Sequence, residues 1–450
     1  MKDIAIITGT ILALIEEKKF QSLRDVLRTM QPVDVAMAAA ELTPQDLSLV
    51  FRLLPKDEAA DTFAEMDAES REELIRSFSD SELRDILEEL YIDDTVDMIE
   101  EMPAVLVGRI LEQSSPESRR LINELLMYPD ASAGSIMTTE YVDLHAGMTV
   151  GEAIGRIRRI GVDRETINVC YVTGEGRRLI GAVTIRALIL AEPSAQVGSV
   201  MDENIISVGT LDDKEKVANL FTKYGSIVLP VVDSEKRLVG IVTVDDVMNV
   251  IRDEATEDID KIGAVPPQDK PYMRLSVWDI YKSRIPWLLI LMVSAAFTGA
   301  IITHFQDALS AYLVLVAAIP MLMDTGGNCG SQASVTVIRG ISLEEIEFRD
   351  IFRVMWKESR VALLCGVTMA VLNFARFMLI DRVGLAVSAV ICLTLLVTVL
   401  AAKLVGCTLP LIAKKIGLDP AVMASPFITT IVDALSLFIY FRTASAVLGI

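Results

Sequence analysis

Hydrophobic positions recur at helical spacing through the first part of the chain and give way to long apolar runs in the last. From about residue 20 to 129, LTPQDLSLVFRLLP, KDEAADTFAEMD, SDSELRDILEELY and IDDTVDMIEEMP each carry an apolar stripe on one face. Pro or Asp turns separate them. Several open on Ser, Thr or Asp at an N-cap position and hold acids in the first turn. The repetition predicts a small α-helical superhelix. The opening MKDIAIITGTILALIEEKKF is a short apolar run followed by acids, without a small-residue cleavage site. It reads as an amphipathic helix packing on its own domain, and no secretory signal is expected.

Around Tyr128–Ser132 the period changes. Ala133 to Ala191 reads as β-α-β-β-α, and the same pattern recurs from Val197 to Ile251. The copies align directly: AGSIMTTEYVDL on VGSVMDENIISV, and RRLIGAVTIRAL on KRLVGIVTVDDV. IRDEATEDIDKIGAV then continues as a helix bearing Glu254, Glu257 and Asp258, and PPQDKPYM breaks the chain.

Five runs beyond this point are long enough to cross a bilayer, which takes roughly 20 mostly apolar residues. They are Ile285–His304, Tyr312–Ile338, Val354–Leu379, Leu385–Leu411 and Ala421–Leu448. Lys282 and Arg284 precede the first. Arg339, Arg349 and Arg353 follow the second, and Lys414 and Lys415 follow the fourth. The intervening loops carry only Arg382, so the positive-inside rule places the large N-terminal part in the cytoplasm. Arg376, Arg442 and Lys403 lie toward span ends and are expected to snorkel to headgroups.

Charge divides the chain the same way. Residues 1–275 hold 29 Lys+Arg against 51 Asp+Glu, and residues 276–450 hold 13 against 11. An acidic soluble part argues against nucleic acid as a partner. The five cysteines include no CxxC pair, so neither a disulfide framework nor a zinc site is implied. With two histidines, a bound metal is expected to be held by oxygen. No HExxH, GxSxG or P-loop is present, and the chain does not read as an enzyme.

The chemistry concentrates in two places. Asp433 is the one charged residue within AVMASPFITTIVDALSLFIYF. A mid-membrane carboxylate costs about 2.5–3.5 kcal/mol, so it faces a bundle interior or a watery path. Two readings stand: a cation-attracting group in a pore, or a carboxylate tied to a polar group on a neighbouring helix. The second span contains PMLMDTGGNCGSQAS, in which Gly326, Gly327 and Gly330 permit close helix approach and Asp324, Asn328, Ser331 and Gln332 offer oxygen. In the soluble part, acids crowd the helical faces. Asp93 and Asp97 share one face and repel unless a cation bridges them, although a solvated acidic face is the default for such a pair.

The tandem copies resemble a pair of CBS domains, modules that dimerise and often bind adenine nucleotides. The matching pattern is Gly240, Thr243 and Asp246 in the second copy. In the first it is Gly181 and Thr184, with Ala187 where the acid would stand. That leaves Thr243 and Asp246 as the nucleotide-contacting candidates. With PMLMDTGGNCGSQAS, the acidic helical domain, five spans and PFITTIVDALSLFIYF, the whole chain resembles the MgtE family of magnesium channels. The resemblance implies a multi-domain α-helical membrane protein. Its parts are a helical N-terminal domain over 1–130, CBS domains over 131–196 and 197–250, a connecting helix over 251–275 and a five-helix transmembrane domain over 276–450. It implies a homodimer in the inner (plasma) membrane importing Mg2+ through a pore between the protomers, with Mg2+ also the regulator. Carried over residue by residue, Asp433, Asn328, Thr429, Gly327, Gly330 and Gln332 belong to the ion path. Asp61, Asp93, Asp97, Glu215, Asp246, Glu257 and Asp258 are the acids whose bridging by cytoplasmic Mg2+ closes it. Gly225 and Asn249 stand where the family commonly has Asp, which should weaken or relocate some regulatory sites. The competing reading is a membrane-anchored CBS sensor of nucleotide or ion that transports nothing.

Overall fold

In a computed structural model, residues 2–267, 272–305, 313–423 and 425–448 are described. The expected start of the second span at Tyr312 and part of the PPQDKPYM break lie outside them. The chain divides into two compact units, Met1–Ile251 and Arg252–Ile450.

The first unit opens with ten short helices: α1 Lys2–Glu16, α2 Phe20–Leu27, α3 Pro32–Ala39, α4 Pro44–Leu53, α5 Lys56–Ala64, α6 Ala68–Ser77, α7 Asp80–Glu89, α8 Ile92–Glu101, α9 Ala104–Gln113 and α10 Pro116–Leu125. Their starts follow the expected chemistry. Thr43, Asp67 and Ser115 accept backbone N–H groups at the N-caps of α4, α6 and α10, and Ser79 with Glu82 forms a capping box on α7. Alternate helices pack on one another in sequence, α1 on α3, α3 on α5, α5 on α7 and α7 on α9, which is the predicted superhelical arrangement. Phe51, Phe63 and Phe78 meet in its core with ring centroids 6.2–6.4 Å apart. Ile11 of α1 is buried with Leu23, Leu27 and Val35, so the opening helix packs on its own domain as its pattern requires.

The two repeats follow. The first contains β1 Asp143–His145, α11 Val150–Ile160, β2 Val169–Thr173, β3 Leu179–Thr184 and α12 Ile185–Leu190. The second contains α13 Val197–Val200, β4 Val208–Gly209, α14 Lys214–Tyr224, β5 Val228–Val232, β6 Leu238–Thr243 and α15 Val244–Ile262. In each three-stranded sheet a parallel pair precedes an antiparallel hairpin, with the register shift at the same place, Val172/Thr173 and Val231/Val232. The entry segments cross over. Thr138 bridges to Ile241 of the second sheet, and Asp202 bridges to Ala182 of the first. This explains Gly181 and Gly240. A Cβ on Gly181 would collide with Met201 Sδ, and one on Gly240 would lie 2.8 Å from both Met137 Sδ and Thr138 O. The aligned SIM and SVM segments thus cover the sheet of the opposite copy. One core runs from the superhelix through Leu106, Ile110, Ile122 and Leu125 into Met137 of the first repeat's entry segment and Val217, Phe221 and Val242 of the second repeat.

The second unit is built on long helices: α16 Val277–His304, α17 Leu313–Ser342, α18 Ile351–Leu379, α19 Leu385–Lys415 and α20 Ser425–Leu448. Among the described residues four helical segments are long and apolar enough to cross a membrane, covering α16, α18, α19 and α20. The expected second span is α17, a 30-residue helix, about 45 Å long at 1.5 Å per residue. Its polar half sets it apart from the other four. α19 is the central element, with α17, α18 and α20 packed against it. Small residues make these crossings close. A Cβ on Gly406 of α19 would collide with the Gly330 carbonyl of α17.

One expectation is corrected here. Lys403 does not snorkel. It is 5% exposed inside the bundle, and its Nζ lies 3.4 Å from Glu358 Oε2 of α18. Mid-bundle on α19, the ammonium meets a carboxylate before it can reach an interface, and an ion pair is the compensation a buried charge requires.

Candidate functional site: an intramembrane polar face and a buried acidic cluster

α17 has two faces. Leu322, Gly326, Cys329, Gly330, Ala333 and Val337 are buried against α19 and α20. Asp324, Asn328, Gln332 and Thr336 recur every fourth position and are exposed. Beside this stripe runs α20. A Cβ on Gly330 would meet Ile428 at 2.8 Å, one on Gly327 would meet Thr429 at 3.0 Å, and one on Gly326 would meet Val432 and Ser436 at 2.9 Å. The glycines are therefore the surface that admits α20, and Asn328 and Gln332 lie on the open side. Asp433 is partly buried on α20, and its Oδ1 is sealed from solvent without a hydrogen-bond partner. Of the two readings of Asp433, a carboxylate tied to a polar group on a neighbouring helix finds no hydrogen bond at that atom. The predicted residues Asp433, Asn328, Thr429, Gly327, Gly330 and Gln332 all belong to this α17–α20 pair.

The soluble unit assembles a second group. Asp93 on α8 is 8% exposed, and its Oδ1 also lacks a hydrogen-bond partner. Burial, then Asp246, Asp94, Glu165 and Glu140, hold its carboxyl well above the usual carboxylate range. Burial and Asp246 push Asp94 up to about 7. Asp97 keeps solvent access at the rim, yet the protein around it strips enough hydration that, with Asp246 and Asp94 nearby, it also rises to about 7. Asp246 rises to about 6 through burial, tempered by the Thr243 hydroxyl donating to its Oδ2 at 2.6 Å. Glu165 rises to about 8 through burial, Asp245 and Asp246. Glu140 accepts the Ile92 N–H at 3.2 Å, and burial still raises it. The expected solvated face is thus a crowded carboxylate cluster between α8, the first repeat and the start of α15.

Asp93, Asp97 and Asp246 were expected from sequence as sensor acids and Asp94 as a member of the acidic face, while Glu140, Glu165 and Asp245 join them from irregular segments or adjoining positions that carry no periodic signal. Asp61 stands apart on α5, raised by burial and by Asp57, with Tyr91 the neighbour it shares with Asp93. Glu215 is exposed in the first turn of α14, where Asp213 accepts its backbone N–H. Thr243 is buried and already engaged with Asp246. Gly225 occupies the left-handed C-cap of α14 at φ 61°, a conformation that favours glycine over the acid the family pattern carries. On α15, within the second unit, Lys261 lies 2.5 Å from both Glu257 and Asp419, the latter in the loop before α20. Asp258 beside them is raised by burial and Asp419. Among the described residues no three His, Cys, Asp or Glu side chains stand in the geometry of a metal site.

An oxygen-rich face on long apolar helices, joined to a unit with two tandem α/β repeats, defines a multi-domain membrane protein. Comparison with known proteins makes the class specific. Residues 319–443 match the MgtE divalent cation transporter family, 30–131 the MgtE intracellular N domain, and 133–194 and 197–253 the CBS domain. The chain is 37% identical to the magnesium transporter MgtE of Thermus thermophilus, over 96% of this chain and 97% of the relative. It is 32% identical to that of Bacillus subtilis, over 97% and 96%. A solved cytosolic domain of the Mg2+ channel MgtE in complex with ATP superposes with a TM-score of 0.52 at 38% identity, covering 54% of this chain and 99% of that one. The chain belongs to the MgtE family.

Proposed function

We propose that the protein moves Mg2+ across a membrane along the exposed face of α17 and past Asp433 of α20. The observation that carries this is the stripe Asp324, Asn328, Gln332 and Thr336, left uncovered on a helix packed among membrane spans. Hydrocarbon does not solvate such groups, so the stripe faces water or a second protomer. A homodimer with the two stripes opposed meets both demands, since it encloses an oxygen-lined path at its axis. Mg2+ sheds water reluctantly and takes oxygen ligands in octahedral order, so carboxylates and amides binding it through its waters allow passage without a trap. The fully named relatives are magnesium transporters, which supports the choice of ion.

Regulation follows from the soluble cluster. Asp93, Asp94, Asp97, Glu165 and Asp246 repel one another when deprotonated and are drawn together when Mg2+ lies among them. The ion then favours the compact state in proportion to its differential affinity. α15 is continuous from Asp245 and Asp246 to Glu257, Asp258 and Lys261, and is the element through which closure reaches the membrane helices. The same reading assigns 1–130 to a sensing domain, 131–196 and 197–250 to the CBS pair, 251–275 to the link and 276–450 to the membrane domain. It places the soluble domains in the cytoplasm and the protein in the inner membrane. Asp61 and Glu215 act as outlying sensor acids. An adenine nucleotide at Thr243 and Asp246 would have to displace their mutual hydrogen bond, and Ala187 offers the first repeat no equivalent acid.

Replacing Asn328 and Gln332 together by Leu tests the path. Mg2+ flux into liposomes is expected to fall at least tenfold while the protein still assembles in the membrane. Unchanged flux would remove the α17 face from the path, and folded wild-type protein that carries no Mg2+ would favour the non-transporting sensor.

A further inference from the structure

The small-residue contacts between α17 and α20 set an antiparallel register. Ile428 lies at Gly330, Thr429 at Gly327 and Val432 at Gly326. Extended by one turn from the Thr429–Gly327 contact, this register brings Asp433 to the level of Asp324, and the two carboxylates are near enough for their charges to interact. Asp324 is the first member of the exposed stripe, and no Lys or Arg lies within four positions of either acid.

We propose that Asp324 is a second ion-path carboxylate and a determinant of divalent selectivity. This rests on the transport reading above and deepens it. Two like charges held together at membrane depth are costly in the bare protein. They remain there because a cation passing along the stripe neutralises both. Asp324 is exposed on α17 and Asp433 stands at its level on the adjoining α20, so a hydrated ion on the stripe beside Asp324 also feels the charge of Asp433. With two acids from each chain, a monovalent ion leaves more charge uncompensated than a divalent one. Asp324 therefore discriminates by valence, whereas Asn328 and Gln332 below it carry no charge and guide the hydrated ion onward.

The test is Mg2+ flux through the full-length protein in liposomes, read as half-saturating Mg2+ and as Mg2+ over K+ permeability, for wild type, Asp324→Asn, Asp324→Glu and Asp433→Asn. Asp324→Asn is expected to raise half-saturation by about tenfold and to lower the permeability ratio, with Asp324→Glu close to wild type. Wild-type values in Asp324→Asn alongside a damaged Asp433→Asn would overturn the role of Asp324 and leave the path intact. Equal loss in Asp324→Asn and Asp324→Glu would also overturn it, since shape rather than charge would then matter. Wild-type values in both Asp433→Asn and Asp324→Asn would instead remove the path along α17 and α20 on which the proposal rests, and no flux from folded wild-type protein would remove the transport reading itself.

Discussion

Asp93 is a carboxylate buried with one oxygen unpartnered and four other acids acting on it. Each group of this cluster binds its proton more tightly in the folded protein than in the unfolded chain, whose carboxylates titrate near 4. Their penalty is therefore absent below about pH 4 and grows as pH rises through Asp246 at about 6, Asp94 and Asp97 at about 7 and Glu165 at about 8. In Mg2+-free buffer, hydrogen-exchange protection of the α8 amides, corrected for intrinsic rate, is expected to fall by at least about tenfold between pH 6 and pH 8.5, since Asp94 and Asp97 alone each add roughly one pKa unit of linkage there. Mg2+ should restore it at the upper pH, and Asp97→Asn should flatten the profile. Protection independent of pH would show that the cluster is not under electrostatic load. The helical period revealed that Asp93 and Asp97 share a face. It did not reveal that the face is covered at Asp93, because Glu140 and Glu165 come from another module and burial there is a tertiary fact.

Among elements, α19 ties the membrane unit together, and Lys403 is its least expected residue. Period and hydropathy located this helix, and its Leu385 start agrees with expectation. The pairing with Glu358 was not legible, since the two residues are 45 positions apart and each reads alone as a charge near a span end. Removing one member leaves the other buried and uncompensated. Glu358→Gln or Lys403→Met alone is expected to destabilise the membrane unit by about 3–5 kcal/mol, and the double variant by less. Thermal unfolding of the detergent-solubilised protein measures this. A double variant as unstable as the sum of the singles would mean the pair does not couple. α15 presents the opposite case. Its helical continuity and its acids were readable, but Lys261 was not, because its bridge from Glu257 to Asp419 joins segments far apart in sequence.

For the molecule as a whole, the repeats, the superhelix and the long helices were legible because each rests on a period within a short stretch. The crossover of the repeat entry segments was not, since two aligned copies look self-contained until Thr138 and Asp202 are seen on the opposite sheets. The composition of the ion face lay in the motif, whereas its exposure required the fold: glycines turn one side of α17 toward α19 and α20 and leave Asp324, Asn328 and Gln332 uncovered. On the proposed reading, the acidic cluster and the oxygen face of α17 are a shut-off and a path carried on one chain. The most direct test is Mg2+ flux into liposomes, wild type beside Asp433→Ala, with Mg2+ on the soluble-domain side set low and then high. Wild-type flux that stops at high Mg2+, and a variant at least about a hundredfold slower at low Mg2+, is the predicted result. Equal flux in the two proteins would contradict the assignment of the path, and folded wild-type protein that carries no Mg2+ at either setting would contradict transport altogether.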